Sequence, residues 1–194
     1  MLPIAPLMIE HRLIERMIAV IRLEVDRMNR VKSADPVFID TAVDFIRTYA
    51  DQTHHGKEED ILFRELGRKQ LEPEHARIMK ELVAEHAVGR ENVAALVAAK
   101  EAYLAGEKAA LGVIIEKLSA LADFYPRHIE KEDKHFFVPV MKYFTPQEQE
   151  EMLREGQAFD RRMIHRRYLR QVKEQEQSRN LPGTRDEEGW MSFL

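Results

Sequence analysis

Residues 54–63 read HHGKEEDILF and residues 128–137 read HIEKEDKHFF, so one pattern occurs twice in the 194-residue chain. In both copies a histidine is followed by lysine three residues later, by glutamate four later and by phenylalanine nine later. Four residues make about one helical turn, so each histidine and its glutamate lie on the same face of a helix. The repeat predicts that two helices of the fold present the same chemistry.

Each copy lies in a long segment whose apolar residues recur at helical spacing, and two further segments share that spacing. The four segments begin near Pro6, at Pro36, near Pro73 and after Gly106. The fourth is expected to stop or bend at Pro139, because proline removes a main-chain hydrogen bond. No stretch shows the alternation typical of strands. Four long helices joined by short loops predict an all-α fold, an up-down-up-down four-helix bundle.

The bundle is expected to occupy residues 1–143, followed by an extra C-terminal helix at 144–178 and a flexible tail at 179–194. The tetrapeptide 145–148, Thr-Pro-Gln-Glu, forms a capping box with proline at the first helical position. This last helix is highly charged and has only a thin apolar stripe. We therefore expect it to pack on the bundle or extend from it, with a homodimer contact as a further role.

Each of the four apolar stripes contains a histidine where a leucine would be expected. These are His11, His54, His86 and His128, and on two stripes a glutamate follows, Glu58 and Glu132. Burying a carboxylate without a partner costs roughly several kcal/mol. A pair of metal ions at the centre of the bundle would supply the missing positive charge, with both carboxylates able to bridge the ions.

The second segment offers a second pair at the same spacing, His55 and Glu59. We choose His54 and Glu58 as the inward pair because they continue the apolar stripe of their helix. His55 and Glu59 are then rotated by about 100° away from the core. They are expected to orient the metal ligands through hydrogen bonds.

Two residues of the fourth segment lie close to the predicted centre. Tyr125 precedes His128 by three residues and shares its inward face, so its hydroxyl is expected near the metals or a bridging glutamate. His135 is the next histidine along the same stripe. It is either a further ligand or a side chain that orients one.

With these motifs the chain resembles the hemerythrin-like (HHE cation-binding) domain family over about residues 4–143. The resemblance rests on the first-helix histidine and on the stretches HHGKEEDILF, EHAVGRE and HIEKEDKHFFVP. It implies a four-helix bundle that holds two iron ions in a non-haem, oxygen-bridged centre. Carried over residue by residue, it implies the metal ligands His11, His54, Glu58, His86, His128 and Glu132. Oxygen carriers of the family use five histidines, of which this assignment finds four.

Two other kinds of metal site fit the sequence less well. Ferritin-like di-iron bundles take glutamate from two helices and Glu-x-x-His from two others. Here the lone residues are histidines, and Glu132 with His135 is the only such pair on a core stripe. Zinc accepts the same donors, but six ligands are too many for one tetrahedral ion, and nitrogen with carboxylate suits iron.

Such a centre predicts a protein that binds O2 or nitric oxide, in sensing, scavenging or the handling of iron and oxygen. The alternative is a di-iron redox enzyme that reduces peroxide or oxygen, with catalytic residues and an electron donor that the sequence does not name. A third hypothesis is a metal-free helical interaction module.

Composition narrows the classes of partner. The 30 basic and 34 acidic residues give a net charge of −4, so no basic field attracts nucleic acid. No apolar run reaches the roughly 20 residues of a membrane span. Residues 1–12 lack the basic start of a secretory signal, and the chain has no cysteine. We therefore expect a cytoplasmic protein without membrane or nucleic-acid partners, whose ligand is a diatomic molecule or peroxide.

Overall fold

The computed structural model describes residues 1–160 and 163–181, and these residues form six helices and no β-strand. The first four helices make the up-down-up-down bundle, so the all-α prediction is confirmed. None of the helices within the described ranges combines the length and the apolar character that a membrane span requires.

The six helices differ in regularity. Helix α1 spans Ala5–Val31, and helix α3 spans Pro73–Leu104. Helix α2 runs through the segments Pro36–Asp44, Phe45–His55, Glu58–Phe63 and Arg64–Leu66, with α-helical residues 56–57 between the second and third. Helix α4 runs through Ala110–Lys131, Glu132–Phe136, Phe137–Val140 and Met141–Tyr143. Helices α5 and α6 span Pro146–Phe159 and Met163–Ser178.

Three of these segments are π-helical, with main-chain hydrogen bonds from residue i to residue i+5 rather than i+4. They are Phe45–His55 and Glu58–Phe63 in α2, and Glu132–Phe136 in α4. A π turn holds more residues than an α turn, so it changes which side chains face the core. Helix α4 was expected to stop or bend at Pro139. Its α-helical part ends one residue later, at Val140, and a 3-10 turn at Met141–Tyr143 completes the helix.

Local signals in the sequence set the helix starts. The carboxylate of Asp35 accepts hydrogen bonds from the main-chain N–H groups of Val37 and Phe38 at 3.0 and 3.2 Å. Such a cap contributes about 1 kcal/mol to stability. Thr145 and Glu148 form the predicted capping box at the start of α5.

Pro126 lies inside helix α4 and removes the hydrogen bond that the Ala122 carbonyl would otherwise accept. Arg22 of helix α1 donates to that carbonyl through Nη2 at 2.9 Å. The contact satisfies the freed acceptor and ties α1 to α4.

The apolar core consists of two clusters at different levels of the bundle. The larger one contains residues such as Met17, Tyr49 and Leu121, and the smaller one contains residues such as Leu7, Leu82 and Phe136. In every bundle helix the predicted metal ligands fall between residues of the two clusters. The bundle therefore provides a buried polar layer with apolar packing on either side.

The C-terminal segment, expected as one helix, consists of two. Its backbone becomes extended at Asp160, with φ −83° and ψ 91°, and this ends α5. Met152 of α5 packs into the smaller apolar cluster, while Tyr168 and Val172 of α6 pack into the larger one. The segment thus packs on its own bundle. The homodimer stays a prediction, and most of the predicted tail, residues 182–194, lies outside the described residues.

Candidate metal centre

Seven ionisable residues meet in the polar layer of the bundle, and each is at most 2% exposed. They come from all four bundle helices. They are His11, His54, His55, Glu58, His86, His128 and Glu132. Six of them are the ligands predicted from the sequence, and the seventh, His55, was expected to lie away from the core.

The donor atoms of these side chains form two groups, in each of which all atoms lie within 4.8 Å of one another. One group consists of His55, Glu58, His86 and His128, and the other of His11, His54, Glu58 and Glu132. Glu58 belongs to both groups. Glu132 also reaches both sides, because its Oε1 lies 3.2 Å from Nε2 of His128 and its Oε2 lies 3.1 Å from Nε2 of His11. Each carboxylate can therefore join the two groups.

Carboxylates behind the histidines fix the orientation of the rings. Nδ1 of His11 contacts Asp133 at 2.8 Å, Nδ1 of His54 contacts Glu10 at 2.8 Å, Nδ1 of His86 contacts Glu59 at 2.7 Å and Nδ1 of His128 contacts Glu85 at 2.8 Å. Nδ1 of His55 lies 3.4 Å from Asp51. An Nδ1–H that donates to a carboxylate leaves Nε2 with its lone pair, and such a carboxylate strengthens an imidazole as a metal ligand.

The inward atoms of the cluster have no hydrogen-bond partner in the described part of the chain. This holds for Nε2 of all five histidines and for both oxygens of Glu58 and of Glu132. Their closest approaches are 3.1 to 3.3 Å, without hydrogen-bond geometry. Nine buried acceptor atoms facing one another would be destabilising unless cations lie between them. Imidazole nitrogens with carboxylate oxygens form a donor set that suits iron, so the residues fit a metal pair.

The charges of the cluster lead to the same conclusion. Burial lowers the pKa of His54 and of His128, but the charges of Glu58 and of Glu132, respectively, outweigh it and raise both pKa values to about 9. Burial lowers the pKa of His86 too, while its contacts with Glu132 and Glu58 raise it to about 10. Burial and the neighbouring Glu132 raise the pKa of Glu58, yet the imidazoles prevail and lower it to about 2. Without metal, protons take the place of cations.

His55 corrects the sequence prediction, which rotated it away from the core and left four histidines for the centre. It lies inside because residues 45–55 are π-helical, and the wider turn brings both His54 and His55 to the inner side. Burial and the neighbouring His86 lower the pKa of His55 well below its usual value, so the ring stays neutral. A neutral imidazole is the form that binds a metal.

The other predicted neighbours of the centre separate into two classes. Glu59 accepts a hydrogen bond from His86, the contact expected of a residue that orients a ligand. His135 is exposed and lies outside the cluster, contrary to both roles expected for it. The π-helical turn at residues 132–136 rotates it off the inward face.

A cavity of about 220 Å³ lies beside His55 and His86, with Gly89 and Tyr125 in its wall. Tyr125 is 2% exposed, and its ring stacks on His55 with centroids 6.4 Å apart. Burial raises the pKa of Tyr125, so its hydroxyl keeps its proton and can donate a hydrogen bond into the cavity. Asp51 and Arg90 also line this space. The cavity provides room for a small molecule next to the centre.

Among the acceptors behind the histidine rings, the sequence identified only Glu59. Glu10 and Glu85 each precede an inward histidine by one residue, so helices α1 and α3 share a Glu-His pair in the sequence. The role of these glutamates is not visible in the sequence, because each accepts a hydrogen bond from a histidine on a different helix. Glu10 contacts His54, and Glu85 contacts His128.

A family model described as the hemerythrin HHE cation binding domain matches residues 2–140. A search of curated proteins and a search of solved structures each found no match. The matched region contains all seven side chains of the centre and ends before helices α5 and α6 begin.

Proposed function

Since the chain belongs to the hemerythrin HHE cation-binding domain family, we propose that it is a non-haem di-iron protein that binds O2 or nitric oxide. The observation that carries the proposal is a set of nine buried nitrogen and oxygen atoms that face inward. None of them has a hydrogen-bond partner in the described residues. Their division into two groups with a shared glutamate supports two ions rather than one. In a metal-free interaction module, only protons could compensate these atoms.

The two ions would be held unequally. His55, His86 and His128 would hold one, and His11 and His54 the other, with Glu58 and Glu132 between them. When bound, ferrous iron supplies electrons and an open coordination position for a diatomic ligand. We place that position beside His11 and His54, because this side has fewer imidazoles, and the cavity beside His55 and His86 would be the route by which a ligand enters the centre. The apolar clusters above and below keep bulk water from the centre.

A second candidate function is reduction of peroxide or O2 by the same centre. The cavity of about 220 Å³ favours it, because this space exceeds what a diatomic molecule needs. Tyr125 lies in its wall and can donate a hydrogen bond to a polar molecule there. The proposed location is the cytoplasm, whose reducing conditions suit a cysteine-free chain.

The test is anaerobic loading with ferrous iron, followed by iron analysis and absorption spectra before and after addition of O2 or nitric oxide. About two irons per chain and a spectral change with either gas are expected. Rapid consumption of hydrogen peroxide by the reduced protein, without a stable gas adduct, would favour the enzyme. Absence of bound iron after loading would contradict both functions.

A further inference from the structure

Each carboxylate that supports a predicted ligand also contacts a basic side chain. Lys57, three residues after His54, contacts Glu10, and Lys131, three residues after His128, contacts Glu85. The two halves of the internal repeat thus build the same series of contacts, from imidazole to carboxylate to lysine. The repeat extends beyond the ligands to the groups that support them.

The two series end differently. Lys131 is 27% exposed and has a second carboxylate, that of Glu81 at 3.4 Å, within the bundle. Lys57 is only 4% exposed, and its second carboxylate is that of Asp160. Asp160 belongs to the C-terminal extension, which we define as residues 144–181. The family model ends at residue 140, so a residue outside the matched domain completes the series behind His54.

Close packing holds the extension over Lys57. A Cβ atom at Gly56 would lie 2.9 Å from Cζ of Phe159, so the glycine makes room for that ring. Gly156 lies across the lysine stem, with its Cβ position 3.9 Å from Cδ of Lys57. Arg64 of α2 pairs with Glu155 of α5 at 2.7 Å. The backbone then becomes extended at Asp160, which brings its carboxylate to the buried ammonium group.

The buried charges in this series depend on one another. Glu10 is fully buried. Its carboxylate accepts a hydrogen bond from Nδ1 of His54 and pairs with the ammonium group of Lys57. Without Asp160, the charge of Lys57 would act on Glu10 alone and weaken its hold on the His54 ring. If Lys131 lost its second carboxylate, that of Glu81, solvent would screen the uncompensated charge far better, because Lys131 is partly exposed.

We propose that Asp160 is a positioning residue for His54, and that through it the C-terminal extension supports the two-histidine side of the metal centre. The inference rests on the proposed di-iron function. In this proposal the extension compensates the charge of Lys57 and shields it from water. The carboxylate of Glu10 then keeps its hydrogen bond with His54.

The experiment compares Asp160→Asn with wild type, using iron-loaded full-length protein. Loss of a side chain that supports a ligand typically costs 10- to 100-fold in metal affinity. Asp160 acts through two other residues, so we expect release of iron to a chelator to become about tenfold faster. The reduction potential of the centre should shift to more positive values, because a weaker imidazole donor stabilises ferric iron less.

Three variants make the test specific. Asp160→Glu should restore both readouts toward wild type. Glu81→Gln, which removes the matching carboxylate behind Lys131, should change iron release less than twofold. In a Lys57→Met background, Asp160→Asn should have a much smaller effect, because the contact with Lys57 is gone. This background also removes the unpaired buried charge, so it keeps the test open if Asp160→Asn alone folds poorly.

Wild-type release and potential in folded Asp160→Asn, or an equal effect with and without Lys57, would overturn the inference and leave the di-iron function intact. A wild-type protein that binds no iron would instead contradict the proposed function. In that case the nitrogen chemical shift of His54 Nδ1 in the metal-free protein decides the inference, which fails if Asp160→Asn leaves the shift unchanged.

Discussion

His54 and His55 are neighbours in the chain, yet their rings, with centroids 5.7 Å apart and planes inclined by 55°, belong to different groups of donor atoms. In an α-helix, adjacent side chains point about 100° apart, so only one of the two would face the core. The π-helical segment that ends at His55 lets both do so. The centre thereby gains a fifth imidazole, on the side of His86 and His128.

The first prediction concerns this fifth histidine. His55→Ala should lower bound iron from about two to about one per chain, because the three-histidine group loses a ligand while the group of His11 and His54 keeps all of its own. Elemental analysis after gel filtration measures the content. His135→Ala is the matched control, since that ring is exposed, and it should keep both ions. Two irons retained in His55→Ala would show that His55 is not a ligand.

The second prediction separates two adjacent glutamates. Glu58→Gln should reduce bound iron well below two per chain, because its carboxylate belongs to both groups. Glu59→Gln should still bind two ions at saturating iron, with affinity about 10- to 100-fold weaker, because it only supports His86. Competition with a coloured chelator measures both. Equal loss of stoichiometry in the two variants would contradict the assignment of Glu58 as the bridge.

The third prediction concerns stability and pH in the metal-free protein. The pKa values of His54 and His128 are raised to about 9 and that of His86 to about 10, all above the ordinary 6.5. Their stabilising contribution is therefore complete below pH 6.5 and is lost as the pH rises to about 10. The pKa of Glu58 is lowered to about 2, so its contribution is present above pH 4.5 and is lost as the pH falls toward 2.

His55 acts in the opposite sense, because its lowered pKa costs stability as the pH falls below 6.5. The metal-free protein should accordingly be most stable near pH 6.5 and should weaken in acid and in alkali. Metal removes this alkaline loss, because it replaces the protons with cations that neutral imidazoles bind. The difference in Tm between loaded and metal-free protein should grow steadily from about pH 6.5 to 9. Thermal unfolding followed by circular dichroism checks this. A difference that shrinks over this range would contradict the proposed charge exchange.

The fourth prediction concerns access through the cavity. Gly89 lies in its wall with room for a side chain, since the nearest atom to a Cβ there is Cε1 of Phe124 at 3.7 Å. Gly89→Val should fill part of the cavity and slow azide binding to the oxidised centre severalfold, with iron content unchanged. Stopped-flow absorption measures the rate.

A matched control separates this effect from helix propensity. Gly112 is exposed on helix α4, and nothing lies within 4 Å of its Cβ position. Gly112→Val should leave the azide rate at the wild-type value. An unchanged rate in Gly89→Val as well would mean that small ligands reach the centre by another route.

The fifth prediction concerns Tyr125, which lines the cavity together with His55 and stacks on its ring. Tyr125→Phe keeps the packing but removes the donor, so iron content should stay at two per chain while the rate of oxidation of the reduced protein in air changes. Tyr103→Phe is a suitable control, since this tyrosine lies in another part of the fold near Ala34. The same oxidation rate in wild type and Tyr125→Phe would exclude a role for the hydroxyl.

The sequence by itself determined the four helices and six of the seven residues in the centre. Apolar spacing, the cap at Asp35 and the capping box at Thr145 are local signals, so they can be recognised without knowing the fold. His11 and His86 could be placed for the same reason. Each interrupts an apolar stripe in a regular helix, where the turn angle is constant and the face of a residue follows from its number.

Only the tertiary structure decided the positions that depend on contacts between helices. The π-helical turns place His55 inside the centre and His135 on the surface, and no residue type near them indicates the change of helical period. The same is true of Glu10 and Asp160, which act on helices distant in sequence. Periodicity reports the geometry of one helix, whereas the change of turn and the partners of buried charges are settled by packing between helices.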